Sequence, residues 1–356
     1  MPDAFSLGTS VLRRLPPELA HRLAISALRM RLRPSKPTSD DPVLRMRIWD
    51  QIFLNPIGMA AGFDKDAEVF DSLTQMGFGF VEVGSITPQP QFGNPKPRLF
   101  RLSEDNALIN RMGFNSGGLS QARRRLAKRL NRRDGIVGIN LGRNKDGEAE
   151  ADYGAGVRAL APFADYLVIN VSSPNTPGLR ALQSAEILDS LIAVTLRARS
   201  DAGAAPPLLL KLAPDLGEAE LRDIAAVASA RSVDGLIIGN TTVGRPSSLH
   251  GPHVNEPGGL SGAPLYTLST EVLRLAYRLT EGRMPLIGVG GISSGKDAYG
   301  KIRAGASLVQ LYTALVYQGP GLLQRLKAEL AQLLRRDGFA SVAEAVGADH
   351  RGGAAG

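Results

Sequence analysis

The chain has 356 residues, 43% of them hydrophobic, and a formal net charge of +8. That length accommodates one large domain or two ordinary ones with a sizeable core. The sequence contains no cysteine, which excludes disulfides, thiolate metal sites and a cysteine nucleophile or base. Its four histidines lack metal-ligand spacing, so we expect no metal site.

The first 40 residues are predicted to form two amphipathic helices. One spans 5–15, and Pro16-Pro17-Glu18 is typical of the start of another. The first 47 residues carry nine basic and four acidic side chains, and apolar residues recur on one face of the second helix: Leu19, Leu23, Ala27 and Met30. Basic amphipathic helices favour docking on a membrane surface or a partner, although packing of both helices on the following domain fits equally well.

No apolar stretch approaches the roughly 18 to 20 residues that span a bilayer. The N-terminus also lacks the apolar core of a secretion signal, so we expect peripheral attachment at the cytoplasmic face of the cell membrane. A second basic run, at 123–133, lacks interleaved aromatic residues and any nucleic-acid-binding signature. It therefore predicts a solvated helix face and no nucleic-acid partner.

From residue 52 onward, short apolar runs alternate with segments of helical periodicity. The predicted strands are 57–60, 80–83, 136–139, 166–170, 208–211, 235–238, 286–289 and 308–311, and the clearest helices are 185–199, 218–231 and 267–280. Eight buried parallel strands over about 260 residues predict a (β/α)8 barrel, assigned to 41–336. A doubly wound sheet is the alternative, disfavoured because no G-x-G-x-x-G follows the first strand. We expect residues 337–356 to form a mobile C-terminal tail.

Polar residues and glycines follow every predicted strand. The carboxyl ends of barrel strands share one rim, where active sites lie, so these residues should converge. The segment 170–178 is the most informative, because its asparagines supply donors and acceptors for a planar heterocycle, its prolines restrict the backbone and its serines can handle a proton. Gly290-Gly291, followed by a helix start at 293–295, indicates a phosphate site, and hence a nucleotide-like cofactor, although glycines also serve tight turns.

Seven motifs, in this order, carry a family resemblance. They are 60–65, 94–101, 110–115, 170–180, 258–262, 288–292 and 305–310. Over residues 16–336 the chain resembles the dihydroorotate dehydrogenases, and specifically the membrane-associated, quinone-reducing class 2. Class 1 members use a cysteine base and lack an N-terminal helical extension, whereas this chain has Ser173 at the matching position and has the extension.

The resemblance implies oxidation of dihydroorotate to orotate in pyrimidine biosynthesis, with FMN as cofactor, a membrane quinone as final acceptor and Ser173 as catalytic base. Lys65 would meet the substrate carboxylate, and Lys211 would lie beside the flavin N1–O2 edge. The implied substrate residues are Lys65, Asn110, Arg111, Met112, Gly113, Phe114, Asn170, Asn175, Asn240 and Thr241. The implied cofactor residues are Ala61, Gly62, Phe63, Asp64, Lys65, Ser85, Asn140, Asn170, Lys211, Gly239 and Gly262, with Gly291, Tyr312 and Thr313 at the phosphate. His21 and Arg101 match positions that touch quinone.

Three other interpretations are weighed against this one. A soluble FMN barrel that passes electrons to fumarate or a nicotinamide would have cysteine at position 173 and no N-terminal extension. This sequence instead has Ser173 and has the extension. A non-redox phosphate-binding barrel, such as an aldolase, stays open because Lys211 at a strand end is compatible with a Schiff base. A membrane-docking scaffold without catalysis would need none of the polar rim residues.

Overall fold

The computed structural model describes residues 4–30, 39–129 and 135–351. The basic residues at 31, 33 and 36, those at 132 and 133, and the last five residues of the predicted tail lie outside these ranges. The strands are β1 (Met46–Ile48), β2 (Gln51–Phe53), β3 (Ile57–Met59), β4 (Phe80–Ile86), β5 (Leu99–Leu102), β6 (Ala107–Asn110), β7 (Ile136–Leu141), β8 (Tyr166–Asn170), β9 (Leu208–Leu212), β10 (Gly235–Ile238), β11 (Gly259–Gly262), β12 (Leu286–Val289) and β13 (Leu308–Leu311).

The helices surround the strands and continue past the last of them. They are α1 (Ala4–Arg14), α2 (Pro17–Arg29), α3 (Phe70–Gln75), α4 (Leu119–Leu126), α5 (Ala149–Leu160), α6 (Ala185–Asp201), α7 (Glu218–Ala230), α8 (Tyr266–Leu279), α9 (Gly295–Arg303), α10 (Thr313–Gln318), α11 (Leu322–Arg336), α12 (Val342–Ala345) and α13 (Ala348–Arg351). Within the described residues, none of them has both the length and the apolarity to cross a bilayer.

Eight parallel strands close into a barrel, in the order β3, β4, β7, β8, β9, β10, β12 and β13, and β13 pairs with β3 to complete the ring. Each of the eight predicted strands overlaps one of these. The barrel prediction is therefore confirmed, and the doubly wound alternative is wrong. The strands are apolar on both faces because side chains inside the ring and those under the helices are both shielded from water.

Glycines make room for large rings inside the barrel. A Cβ at Gly58 would lie 2.3 Å from the Phe80 ring, and one at Gly138 would lie 2.0 Å from the Tyr166 ring. Phe53, on the β1–β2 hairpin, packs edge-on against Phe80 with ring centroids 5.6 Å apart. These fully buried rings fill the amino end of the barrel. The space left inside the ring therefore lies at the carboxyl ends of the strands.

A second, antiparallel sheet of β5, β6 and β11 lies over that open end. It has a small apolar core of its own, formed by Phe100, Leu102, Ala107, Ile109, Leu249 and Leu260. Its strands belong to long excursions between barrel strands, so the chain builds an extra wall above the rim without interrupting the ring.

The N-terminal helices pack beside this wall. Arg98, which is buried, donates hydrogen bonds to both carboxylate oxygens of Glu18 on α2, at 2.7 and 3.3 Å. Ser72 donates to the carbonyl of Leu28 at 2.8 Å. The helices still expose large apolar side chains, namely Val11, Leu19, Leu23 and Met30. The packing interpretation therefore holds for one face of the helix pair, and docking of the solvent-exposed face stays a prediction.

Residues 337–351, predicted as part of a mobile tail, instead contain α12 and α13. Ser341 caps α12 by accepting the backbone N–H of Glu344, and Val342 and Ala345 are fully buried. Asp349, on α13, pairs with Arg303 of α9 at 2.7 Å. Composition alone suggested a tail because two four-residue helices are too short to give a periodic signal, and contacts with α8 and α9 stabilise them.

We expect Arg98→Ala to loosen the N-terminal helices from the barrel. The substitution leaves the Glu18 carboxylate mostly buried without its main partner, and hydrogen bonds to charged groups contribute about 1.5 to 3 kcal/mol each. Hydrogen exchange should rise across residues 8–30 while the barrel strands keep their protection. Lys96→Ala is the control, because Lys96 reaches the same carboxylate at 3.4 Å but is 56% exposed. Unchanged exchange in Arg98→Ala would show that other contacts hold the helices.

Candidate active site

A cavity of about 450 Å³ opens at the carboxyl ends of the barrel strands. The strand ends form its floor, the antiparallel sheet forms one wall, and α2 contributes Glu18 and His21. Most of the residues singled out from the sequence line it: His21, Ala61, Gly62, Lys65, Ser85, Asn110, Met112, Gly113, Phe114, Asn170, Ser173, Asn175, Lys211, Asn240, Thr241, Gly262, Gly291, Tyr312 and Thr313. The predicted convergence on one rim is confirmed.

The floor of the cleft is a buried ionic cluster centred on Glu82. Its carboxylate accepts hydrogen bonds from Asn140 at 2.8 Å, from Gln310 at 2.6 Å and from the Lys211 ammonium at 3.3 Å. All four residues are 3% exposed or less. A buried charge is tolerated only when it is paired and hydrogen-bonded, and this carboxylate has both kinds of partner. The cluster therefore presents a fixed positive group, Lys211, to the cleft.

Above this cluster, three side chains form a rigid polar shelf. The Asn170 amide donates to the Ser85 hydroxyl at 2.9 Å and to the Asn140 carbonyl oxygen at 3.1 Å. Ser85 in turn donates a short hydrogen bond to Asn140. Because each side chain is held by the other two, the remaining donors and acceptors have fixed directions, which suits recognition of a planar ring.

The adjacent serines have different surroundings. Ser172 is fully buried, donates to Asn170 at 2.7 Å and accepts from Asn240 at 2.8 Å. Ser173 lines the cleft and accepts the backbone N–H of Asn175 at 3.3 Å. Among the described residues, no hydrogen bond gives the Ser173 hydroxyl proton an acceptor. Ser172 therefore braces the amides, whereas Ser173 can exchange a proton with a bound molecule.

Lys65 lies at the side of the cleft, where its ammonium donates to Asn115 at 2.8 Å. Burial, with a smaller contribution from the positive charge of Arg98, lowers the pKa of Lys65 to about 7. No carboxylate lies within ion-pair distance of it in the described part of the chain. An anionic ligand would restore its ordinary protonation, because an opposite charge nearby favours the charged form.

His21 closes the mouth of the cleft from α2. Its ring lies 5.4 Å from Phe63 and its Nδ1 lies 3.3 Å from the Tyr312 hydroxyl. Burial first, and the charge of Lys65 second, lower the pKa of His21 to about 4. At neutral pH it is therefore an uncharged, aromatic group. Phe63 packs against His21 and Tyr312 and does not itself line the cavity, so its expected contact with the cofactor stays a prediction.

Other predicted residues also lie away from the cavity wall. Asp64 is buried and accepts the backbone N–H groups of Glu68 and Val69, at 2.6 and 2.9 Å, and burial raises its pKa to about 6. Asn140 acts from beneath, through Ser85 and Asn170. Gly239 approaches the β12 backbone so closely that a Cβ there would lie 2.4 Å from the Val289 carbonyl oxygen.

Two predicted arginines bind elsewhere. Arg111 pairs with Glu256 at 2.7 Å and lies 4.5 Å above the Phe100 ring, outside the cavity lining. Arg101 donates to backbone carbonyls at the end of α1, those of Leu12, Arg13 and Leu15. Both side chains brace the wall and the helices around the cleft. Their spacing in the sequence matched a motif, but motif spacing gives no information on where a long side chain points.

Sequence reasoning missed Glu82, Gln310 and Ser172. Glu82 and Gln310 interrupt otherwise apolar strands, and this was an available signal, since a charged or amide side chain in a fully buried strand requires a partner inside the barrel. Ser172 gave no such signal, because its neighbour Ser173 is chemically identical. The two serines differ only because successive side chains after β8 point in opposite directions, which places Ser172 against the asparagines and Ser173 in the cleft.

The fold and the site define a (β/α)8-barrel enzyme with a polar cleft at the carboxyl ends of its strands. The family described as dihydroorotate dehydrogenase matches residues 43–334, and the chain belongs to this family. It is 58% identical over 355 residues to a dihydroorotate dehydrogenase (quinone) of Rhodospirillum rubrum, covering 99% of this chain and 96% of that protein. A mitochondrial relative of the same name from Oryza sativa is 54% identical over 367 residues, covering 95% of this chain and 78% of that protein.

A solved structure has the same fold. The DHODH of Eimeria tenella in complex with ferulenol superposes with a TM-score of 0.92 at 44% identity, over 96% of this chain and 99% of that one. The resemblance stated from the motifs, to quinone-dependent members of the family, is thereby confirmed.

We expect Glu82→Gln to destabilise the fold strongly. The substitution leaves Lys211 buried without a counter-charge, and breaking a buried ion pair from one side costs about 3 to 5 kcal/mol. Chemical denaturation should show that loss. The control is Glu218→Gln, which breaks an exposed pair with Arg222 and should cost less than about 0.5 kcal/mol. Equal effects of the two substitutions would mean that Lys211 does not depend on Glu82.

Proposed function

We propose that this chain oxidises dihydroorotate to orotate in pyrimidine biosynthesis, with FMN as hydride acceptor and a membrane quinone as final electron acceptor. The observation that carries the proposal is Ser173, a hydroxyl without a protein acceptor among the described residues, set in a cleft lined by asparagines, four of which are expected to contact the substrate. The four are Asn110, Asn170, Asn175 and Asn240. The relatives named dihydroorotate dehydrogenase (quinone) supply the reaction that such a cleft suits.

The cleft fits a phosphate-bearing flavin. At Gly62 an added Cβ would meet only the Tyr312 ring, at 3.8 Å, so the backbone there borders open space. The buried Oε1 of Gln310 has no protein hydrogen-bond donor, which leaves an acceptor for a ligand N–H. Ala61, Ser85, Asn170 and Gly262 would border the flavin, Lys211 would supply positive charge to it, and Gly291, Tyr312 and Thr313 would hold its phosphate. When bound, FMN supplies the hydride acceptor that no amino-acid side chain can provide.

The residues of the chain would bind and deprotonate the substrate. The amides of Asn110 and Asn175, which hydrogen-bond each other at 3.2 Å, would contact the substrate ring together with Asn240 and Thr241. Ser173 would remove the proton at C5 and pass its own hydroxyl proton to a water molecule in the cleft, because a neutral hydroxyl gains a proton only as it loses one. Lys65 would bind the substrate carboxylate through a charge-assisted hydrogen bond.

The N-terminal helices would admit the quinone. Their exposed apolar residues Leu19, Leu23 and Met30 lie among exposed arginines, such as Arg22 and Arg29, an arrangement that suits anionic lipid headgroups at a membrane surface. We infer peripheral attachment at the cytoplasmic face of the cell membrane. His21 would contact quinone directly, since it is uncharged and lines the cleft mouth. Arg101 would act indirectly, by holding the end of α1.

An anaerobic absorbance spectrum tests the two half-reactions. We expect a flavin band that bleaches on addition of dihydroorotate and returns with a quinone, but not with fumarate or a nicotinamide. Arg98→Ala should still bleach but recover slowly with quinone, because it removes the ion pair that holds α2, while its other hydrogen bonds go to the loop carbonyls of Phe92 and Asn94. A folded protein that retains no flavin after supply of FMN would contradict the proposal and would favour the non-redox barrel.

Ser173→Ala should retain FMN but reduce it about 10² to 10⁴ times more slowly with dihydroorotate, the usual contribution of a general base. Stopped-flow absorbance measures that rate. Ser172→Ala is the matched control, because it removes a neighbouring hydroxyl that braces Asn170 and Asn240. It should weaken substrate binding more than it slows reduction at saturating substrate. Wild-type reduction rates in Ser173→Ala would exclude Ser173 as the base.

The pH dependence of kcat/KM should report Lys65. A lysine with a lowered pKa is protonated below that pKa and neutral above it, so the group that binds the carboxylate is lost as pH rises through about 7. We expect kcat/KM for dihydroorotate to fall above that pH, through a rise in KM. Lys65→Arg keeps its charge throughout this range and should abolish the inflection. A wild-type KM that does not change with pH would contradict the assignment.

A further inference from the structure

Lys301, on α9, is a fully buried cation outside the cleft. Its ammonium donates to the hydroxyls of Ser269 at 2.8 Å and Thr270 at 3.0 Å, and it lies 5.2 Å from the centre of the Tyr266 ring. No carboxylate lies within ion-pair distance of it in the described part of the chain. A buried cation without a counter-charge is costly, so its retention requires an explanation.

Two other buried lysines have the counter-charge that Lys301 lacks. Lys211 pairs with Glu82 at 3.3 Å, and Lys327 pairs with Asp40 at 2.5 Å. Each charge is therefore compensated within the protein. Burial, more than the opposing influences of Asp297 and Arg274, lowers the pKa of Lys301 to about 7. The protein alone thus holds this ammonium only weakly in its charged form, and an anion nearby would stabilise it.

The residues that contact Lys301 also contact the glycines of the cleft wall. Ser269, in the first turns of α8, also bonds to the carbonyl of Gly290, at 3.1 Å. A Cβ at Gly291 would lie 2.4 Å from the Tyr266 Cα, so the loop rests on that turn, and one at Gly288 would lie 3.2 Å from the Lys301 Cδ. Lys301 therefore lies directly behind the stretch 288–291, and Gly290 and Gly291 form the cavity wall on the other side.

We propose that Lys301 is a positioning residue for the anion end of the cleft. Its ammonium fixes the first turns of α8 against Gly290 and Gly291, and its charge is compensated through this loop by the phosphate of the bound cofactor. This inference rests on the proposed FMN-dependent function. It accounts both for the burial of a charged side chain and for its lack of a carboxylate partner. A purely structural contact would need no charge, whereas a charge that faces a phosphate dianion needs no carboxylate.

The test is Lys301→Met, which keeps the length of the side chain and removes its charge and hydrogen bonds. The full-length variant is loaded with FMN or with riboflavin, which lacks the phosphate, and release on dilution is followed by flavin fluorescence. We expect FMN to bind about tenfold more weakly than to the wild type, and riboflavin to change by less than about twofold, as is typical when a supporting residue behind a ligand site is lost.

Two further variants keep the test decisive. Lys327→Met removes a buried lysine at the closed end of the barrel, and it should leave the preference for FMN over riboflavin unchanged. If Lys301→Met does not fold, Ser269→Ala removes the link to Gly290 with the lysine in place, and it should reduce the same preference several-fold. Equal losses of FMN and riboflavin affinity in either variant, or an unchanged preference, would overturn the inference. A wild-type protein without any preference for FMN would overturn the proposed cofactor as well.

Discussion

The ion pair between Glu82 and Lys211, buried in the barrel, is the constraint on which the rest of the site depends. The two charges cannot be solvated there, so neighbouring strands must supply Asn140 and Gln310 to complete the hydrogen bonds of the carboxylate. Those amides then fix Ser85 and Asn170 above them. The polar surface that a ligand meets is the upper layer of a cluster whose lower layer is held by electrostatics.

This cluster is possible because aromatic rings fill the amino end of the barrel. Phe80 and Tyr166 occupy space that Gly58 and Gly138 leave free, and the Tyr166 hydroxyl reaches Glu82 at 3.4 Å. The interior therefore changes from apolar to ionic to amide-rich along the barrel axis. The N-terminal helices add His21 at the cleft mouth above these layers, and they expose Leu19, Leu23 and Met30 to solvent.

Three buried lysines illustrate how similar residues serve different purposes. Lys327 ties Asp40 to the closed end of the barrel, and Lys211 brings a compensated charge to the floor of the cleft. Lys301 has hydroxyl partners only, and the compensating charge that we infer for it is the cofactor phosphate. Lys211 also donates a hydrogen bond to Glu82. This argues against a Schiff-base role for Lys211, since the nucleophile in such chemistry must be a free amine.

The sequence by itself determined the barrel and most of the cleft. Eight apolar runs with polar ends define parallel strands and one shared rim, because strand direction and burial follow from local pattern. Ser173 lines the cleft as the motif predicted, whereas the sequence did not indicate that the Arg111 and Arg101 side chains lie outside it or that Glu82 lies beneath it. Only the tertiary structure decided which long side chains enter the cleft, which serine braces and which faces the ligand, and that residues 342–351 fold back onto α9. Those outcomes depend on contacts between segments far apart in the chain, and no local pattern records them.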